Sequence, residues 1–127
     1  MNKESTGLKR ARRRVIPSDA IAVGQRLDAQ SAKRFARSMS KLVDSGSREC
    51  IIDLSATEAV DSSGFGSLIA AVRKIGDLGG VVAIVCTNAT VRRLFEIAGL
   101  SRMVPIVSRM EDARRMMAAA ARTALAS

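Results

Sequence analysis

The sequence predicts an α/β domain: a single, mainly parallel central sheet of four to five strands with about four helices. Three observations carry this. Glu49-Cys50-Ile51-Ile52-Asp53-Leu54 and Val81-Val82-Ala83-Ile84-Val85-Cys86 are short, continuous apolar runs rich in β-branched residues, the signature of parallel strands buried on both faces. The stretches between and beyond them place apolar residues at helical spacing. Strands and helices alternate as β(β)αβαβαβα, an order that right-handed crossovers turn into one sheet covered by helices.

Each element has a local reason. Residues 1–14 carry Lys3, Lys9, Arg10, Arg12, Arg13 and Arg14 against Glu4, and form a basic segment expected to be flexible, ahead of a domain spanning 15–124. Within it, Leu8 to Ile16 reads either as an edge strand guarded by charge or as a floppy end. Pro17-Ser18-Asp19 signals a turn, and Ala20-Ile21-Ala22-Val23 a short strand ended by Gly24. Arg26 to Ala32 leads into a helix for which Asp28 and Ser31 are candidate caps. Its apolar stripe is Ala32, Phe35, Ala36, Met39, Leu42 and Val43, while Lys33, Arg34, Arg37 and Lys41 lie on its solvated side. After the Ile51 strand, Phe65, Leu68, Ile69, Val72, Ile75 and Leu78 mark the face of a second helix, closed by Gly79-Gly80. Thr87-Asn88 caps a third, with Val91, Leu94, Phe95 and Ala98 inward and Gly99 at its end. Val104-Pro105-Ile106-Val107 is a strand that its proline confines to an edge. Ser108 and Glu111 have capping-box spacing, and the Ala- and Arg-rich stretch to about Ala124 is a helix docking Met110, Ala113, Met117 and Ala121 on the sheet.

Composition removes several function classes. The 127-residue chain is 47% apolar, enough for one domain with a real core. It has no His, Tyr or Trp, which excludes His-dependent triads and imidazole metal sites and weakens any stacking platform for single-stranded nucleic acid. Cys50 and Cys86 fall in predicted buried strands, where thiols pack as small apolar groups, so neither a disulfide framework nor a zinc site is expected. No apolar run is long enough to span a bilayer, and the basic N-terminus has no apolar segment behind it; a cytoplasmic protein fits these features. Gly64, Gly66 and Gly79-Gly80 do not make a nucleotide-binding loop, since no Gly-x-x-x-x-Gly-Lys-Ser/Thr is present. Gly64 instead suits a close helix–strand approach. Asp53 and Asp61 lack an accompanying nucleophile, so they do not form an acid–base pair, and Asp53 reads as a loop anchor. Arg92-Arg93 reads first as a solvated face and second as a contact to an acidic partner. No enzymatic activity and no cofactor are expected.

The chemistry concentrates at Val60-Asp61-Ser62-Ser63-Gly64-Phe65-Gly66, a polar corner between a strand and a helix. Asp61, Ser62 and Ser63 are each good N-caps, and helix initiation alone would explain them. The alternative is a phosphorylated serine. A helix N-terminus offers free N–H groups and the positive end of the dipole to an added charge of about −1.5 to −2.

Five segments in order resemble the STAS domain of bacterial anti-sigma factor antagonists: Gly24 with Leu27-Asp28; Ile51-Ile52-Asp53-Leu54-Ser55; Val60 to Leu68; Gly79-Gly80; and Val91 to Leu100. The resemblance implies a partner, an anti-sigma factor that is also a serine kinase of the GHKL type. That kinase phosphorylates the serine directly after the aspartate, here Ser62, with Ser63 a minor candidate, and so breaks the complex. A PPM-type serine phosphatase restores it. Asp28 corresponds to an acidic residue near the phosphoacceptor, and the partner-binding surface implied is Asp28, Asp61, Ser62, Ser63, Gly64 and Phe65. The resemblance also implies a monomer that does not bind DNA directly. The early motif here is one residue longer than the family's Gly-x-Leu-Asp, which predicts a reshaped loop before Asp28.

Two other functions fit parts of the sequence. STAS domains also serve as accessory or scaffold subunits of ABC lipid-transport and signalling complexes. A net charge of +9, more than half of it in residues 1–14, raises nucleic-acid or anionic-membrane binding, which would weaken steeply with salt and vanish with the basic segment.

Overall fold

The computed structural model describes residues 20–126, with side chains to Thr123. In chain order the elements are β1 (Ala20–Ala22), β2 (Arg26–Leu27), α1 (Ala29–Asp44), β3 (Glu49–Asp53), β4 (Ala59–Val60), α2 (Ser62–Asp77), β5 (Val81–Val85), α3 (Ala89–Ala98), a 3-10 turn at Leu100–Arg102, β6 (Ile106–Val107) and α4 (Met110–Ala126). The expectations for the basic segment, for a strand at Leu8–Ile16 and for the Pro17 turn lie outside the described residues.

Four strands form the main sheet in the order β1-β3-β5-β6, every neighbouring pair parallel. Parallel strands need crossovers, and the helices supply them. Alternation along β3 and β5 divides the apolar residues between the two faces. Cys50, Ile52, Val82 and Ile84 point into the larger core, packed with residues of α1, α2 and α3 that include Phe35, Leu68, Ile75 and Phe95. Ile51, Ala83 and Val85 point the other way, where Ala113 and Met117 of α4 cover them. Pro105 stands just before β6, which is an edge strand as its proline requires.

Helix ends follow the local chemistry. Asn88 caps α3 by accepting the Val91 N–H at 3.0 Å, while Thr87 instead donates its hydroxyl to the Ser55 carbonyl at 3.0 Å. Gly99, at φ 84°, ends that helix in the left-handed region that glycine occupies without strain.

Four expectations change. Arg26-Leu27, read as a lead into α1, is a strand: it pairs in parallel with Ala59–Val60 as a separate two-stranded sheet. Leu94 and Ala98 are exposed, because Val91 and Phe95, four apart, define the line by which α3 lies on the sheet, and Leu94 falls a quarter-turn off it. Leu78 is likewise 41% exposed, since it is the C-cap of α2, beyond the last turn that touches the sheet. Finally, α4 begins at Met110, and the capping-box pair is spent elsewhere. The Ser108 hydroxyl accepts from the Arg92 guanidinium at 2.8 Å, and Glu111 pairs with Arg109.

Candidate functional site

The small second sheet builds the site. Its register sets Leu27 opposite Val60, so the two strands end together, and each is followed at once by an aspartate that opens a helix. Asp28 and Asp61 are thus neighbours at twin strand-to-helix corners. The Asp61 N–H donates to the Leu27 carbonyl at 3.1 Å, which continues the ladder by one bond and fastens one corner to the other.

Asp28 caps α1. Its Oδ1 accepts the N–H groups of Gln30 and Ser31 at 3.1 and 3.0 Å, and the Ser31 hydroxyl returns the favour by accepting the Asp28 N–H at 2.9 Å. This is a capping box with serine in the place usually held by Glu or Gln. The Ser31 hydroxyl also lies 2.8 Å from the Arg26 carbonyl, tying the helix start back to β2. Hydrogen bonds from the Ser31 backbone and then from its side chain hold the Asp28 carboxyl below its ordinary range. The carboxylate is therefore charged and fixed, and it faces solvent.

Of the three candidate caps at the second corner, Asp61 serves. Its Oδ1 accepts the Gly64 N–H at 2.9 Å. Ser62 and Ser63 are then the first two helical residues, both exposed, and among the described residues neither hydroxyl has a hydrogen-bond partner. Their backbone N–H groups belong to the first turn, where no intrahelical acceptor exists. The corner thus presents two unengaged hydroxyls at the positive end of a helix dipole, beside two fixed carboxylates.

Gly64 and Phe65 hold this corner against the core. A β-carbon at Gly64 would sit 2.0 Å from the Leu27 carbonyl oxygen, so only glycine lets α2 pass this close to β2. Phe65 is half-buried and tilts against Phe95 with ring centroids 6.0 Å apart, which links the first turn of α2 to α3. The structure therefore gathers all six sequence-predicted residues at or directly behind one surface. Thr57 escaped sequence reasoning: it is 1% exposed and donates its hydroxyl to the Gly24 carbonyl at 2.8 Å, closing the loop that carries β4. Nothing in a lone loop threonine signals that role. Arg92 is not purely a solvated residue either, because it reaches Ser108 across the end of the sheet. Asp53 accepts the Ser55 N–H at 3.0 Å, anchoring a loop as expected.

Known proteins share this fold. A curated relative from Thermotoga neapolitana, named a homologue of the anti-sigma factor antagonist TM1081, is 26% identical over 88 residues, covering 68% of this chain and 78% of the relative. The crystal structure of an anti-sigma factor antagonist from Mycobacterium paratuberculosis superposes with a TM-score of 0.70 at 26% identity, over 77% of this chain and 83% of the other. The phosphorylated form of the Bacillus cell fate determinant SpoIIAA shares the fold at a TM-score of 0.61 and 20% identity, over 76% and 88% of the two chains. The STAS domain family model matches residues 12–113, from before β1 into the start of α4. The chain belongs to the STAS domain family.

Proposed function

We propose that this protein is an anti-sigma factor antagonist, a phosphorylation-controlled binding switch with no catalysis of its own, acting in the cytoplasm as a domain of residues 15–124. Unphosphorylated, the Ser62 corner docks on an anti-sigma factor that is also a GHKL-type serine kinase, and so keeps that factor from its sigma factor. The kinase phosphorylates Ser62, the complex separates, and a PPM-type phosphatase resets it. The observation that carries this reading is the pair of exposed, unengaged hydroxyls in the first turn of α2, capped by Asp61 and flanked by Asp28. The names of the similar proteins, anti-sigma factor antagonists in Thermotoga and Mycobacterium, point the same way.

The energetics are sufficient without a conformational change. A serine hydroxyl at the centre of an interface is small and finds a hydrogen bond. A phosphate dianion in its place must shed water, and an uncompensated buried charge costs several kcal/mol. Each 1.4 kcal/mol is about tenfold in affinity, so one phosphate can abolish docking. Asp28 and Asp61 add to the effect, since any partner surface that accommodates two carboxylates here meets two further negative charges once Ser62 is modified.

The test is to incubate the full chain with a cognate GHKL-type kinase and ATP, then map the modified residue by mass spectrometry. Phosphate on Ser62 is the expected result. Modification confined to other elements, or none with an active kinase, overturns the assignment.

A further inference from the structure

The outer side of α1 is a row of cations with no ion-pair partner among the described residues. Lys33, Arg37 and Lys41 recur at intervals of four, and Arg34 lies beside them, so one side of a helix of 16 residues carries four positive charges. All four are exposed, and among the described residues none forms an ion pair. Ion pairs form on and next to α4, where Arg109 and Arg115 meet Glu111 and Asp112. The only carboxylate within α1 is Asp44, at its last position.

Beside this row runs a groove between α1 and α2, about 220 Å³ in volume. Phe35, Met39 and Val43 of α1 face Ala70 and Ala71 of α2 across it, and Lys74 stands on the α2 wall. Ala36 and Ser40, three and seven residues on from Lys33, line it too, which puts Lys33 at the opposite lip. The volume falls below the roughly 300–1,000 Å³ of small-molecule pockets, and the floor is apolar while both rims are cationic.

We propose that this face binds an acidic amphipathic helix of a partner protein, with apolar side chains in the groove and carboxylates against Lys33, Arg37, Lys41 and Lys74. Helix-in-groove recognition needs this combination of an apolar trough and complementary rims. A nucleic acid would use the cations but leave the apolar trough unfilled. A membrane would require several large apolar groups to insert beside the charges, and of the exposed ones Leu94, Ile97, Met103 and Met116 lie on other elements, leaving Leu78 alone at the end of α2. The groove adjoins the Ser62 corner, since Ser67, one turn along α2 from Ser63, also lines it.

The experiment uses the full, unphosphorylated chain and a fluorescent designed peptide about 20 residues long, long enough to form a helix, with a leucine stripe flanked by glutamates. Saturable binding that weakens with salt is expected. Two variants should each lower affinity by about tenfold or more: K33E/R37E/K41E, which reverses the rim, and A70F, which fills the trough. Both alter surface positions, and urea unfolding checks that they fold. A same-composition peptide in scrambled order should bind at least tenfold more weakly. Equal binding of the scrambled peptide, unchanged affinity in either variant, or no binding of the designed peptide overturns the proposal. So does tighter binding, through the same lysines and arginine, to a short DNA duplex or to phosphatidylglycerol vesicles.

Discussion

The α-carbon of Gly64 is pressed against the main chain at Leu27, so closely that a methyl group there would overlap the carbonyl oxygen. Gly66, two residues on in the same helix, has open space around it. Gly64→Ala should therefore destabilise the fold by about 1–3 kcal/mol through overpacking, with β2 and α2 forced apart. Gly66→Ala should stabilise it by about 0.5–1 kcal/mol, because a helical alanine loses less entropy. Urea unfolding of the two variants separates them by sign.

Under the proposed switch, replacing Ser62 should act on binding rather than folding. Ser62→Ala should bind the cognate anti-sigma factor as the unphosphorylated chain does and resist the kinase. Ser62→Asp should bind at least tenfold more weakly, from a loss of about 1.4 kcal/mol or more. Titration calorimetry with the purified partner measures both, and equal affinities would refute the switch.

Acid should loosen the first corner. Because the Asp28 carboxyl titrates below its ordinary 3.8 in the folded chain, its contribution is fully present above that value and is lost as pH falls through the lower folded pKa. Asp28→Ala should lower the urea midpoint at pH 7, and the gap to the parent should shrink below about pH 4. Unfolding curves across that range check it.

Phe95 is fully buried and holds Phe65. Phe95→Ala should cost about 3–5 kcal/mol. It should also free the first turn of α2, seen as faster amide exchange at Gly64 and Phe65, whose N–H groups bond Asp61, than in the parent chain.

Both thiols are buried, and burial pushes the Cys86 thiol up. Neither should react with a thiol reagent at pH 8 until the chain unfolds. Prompt modification of the native protein would show that the sheet opens locally, at β3 for Cys50 or at the end of β5 for Cys86.

The long elements were legible because their periods are long enough to read. β3 and β5 announce themselves as unbroken apolar runs, and α2 repeats its buried positions over four turns. The two-residue strands β2 and β4 have no period at all, so Arg26-Leu27 read as a helix approach and the sheet that sets Asp28 beside Asp61 stayed hidden. The capping aspartates were visible as residue types, but Asp61, Ser62 and Ser63 are chemically interchangeable as caps. Only the backbone path past Leu27 selects Asp61 and leaves both serines free. Leu94 shows the reverse error: its hydrophobicity suggested burial, yet the placement of α3 is decided by Val91 and Phe95.

The main sheet is roofed unequally. Among the described residues, three helices share one side, whereas α4 is the one helix that shields Ile51, Ala83 and Val85 on the other. Peeling that helix away would bare an oily plane without disturbing the twin corners, so a truncation before Ala113 should clump while keeping its docking geometry. For anyone attaching a reporter, the helix must stay whole even though it lies apart from the corner of the proposed switch.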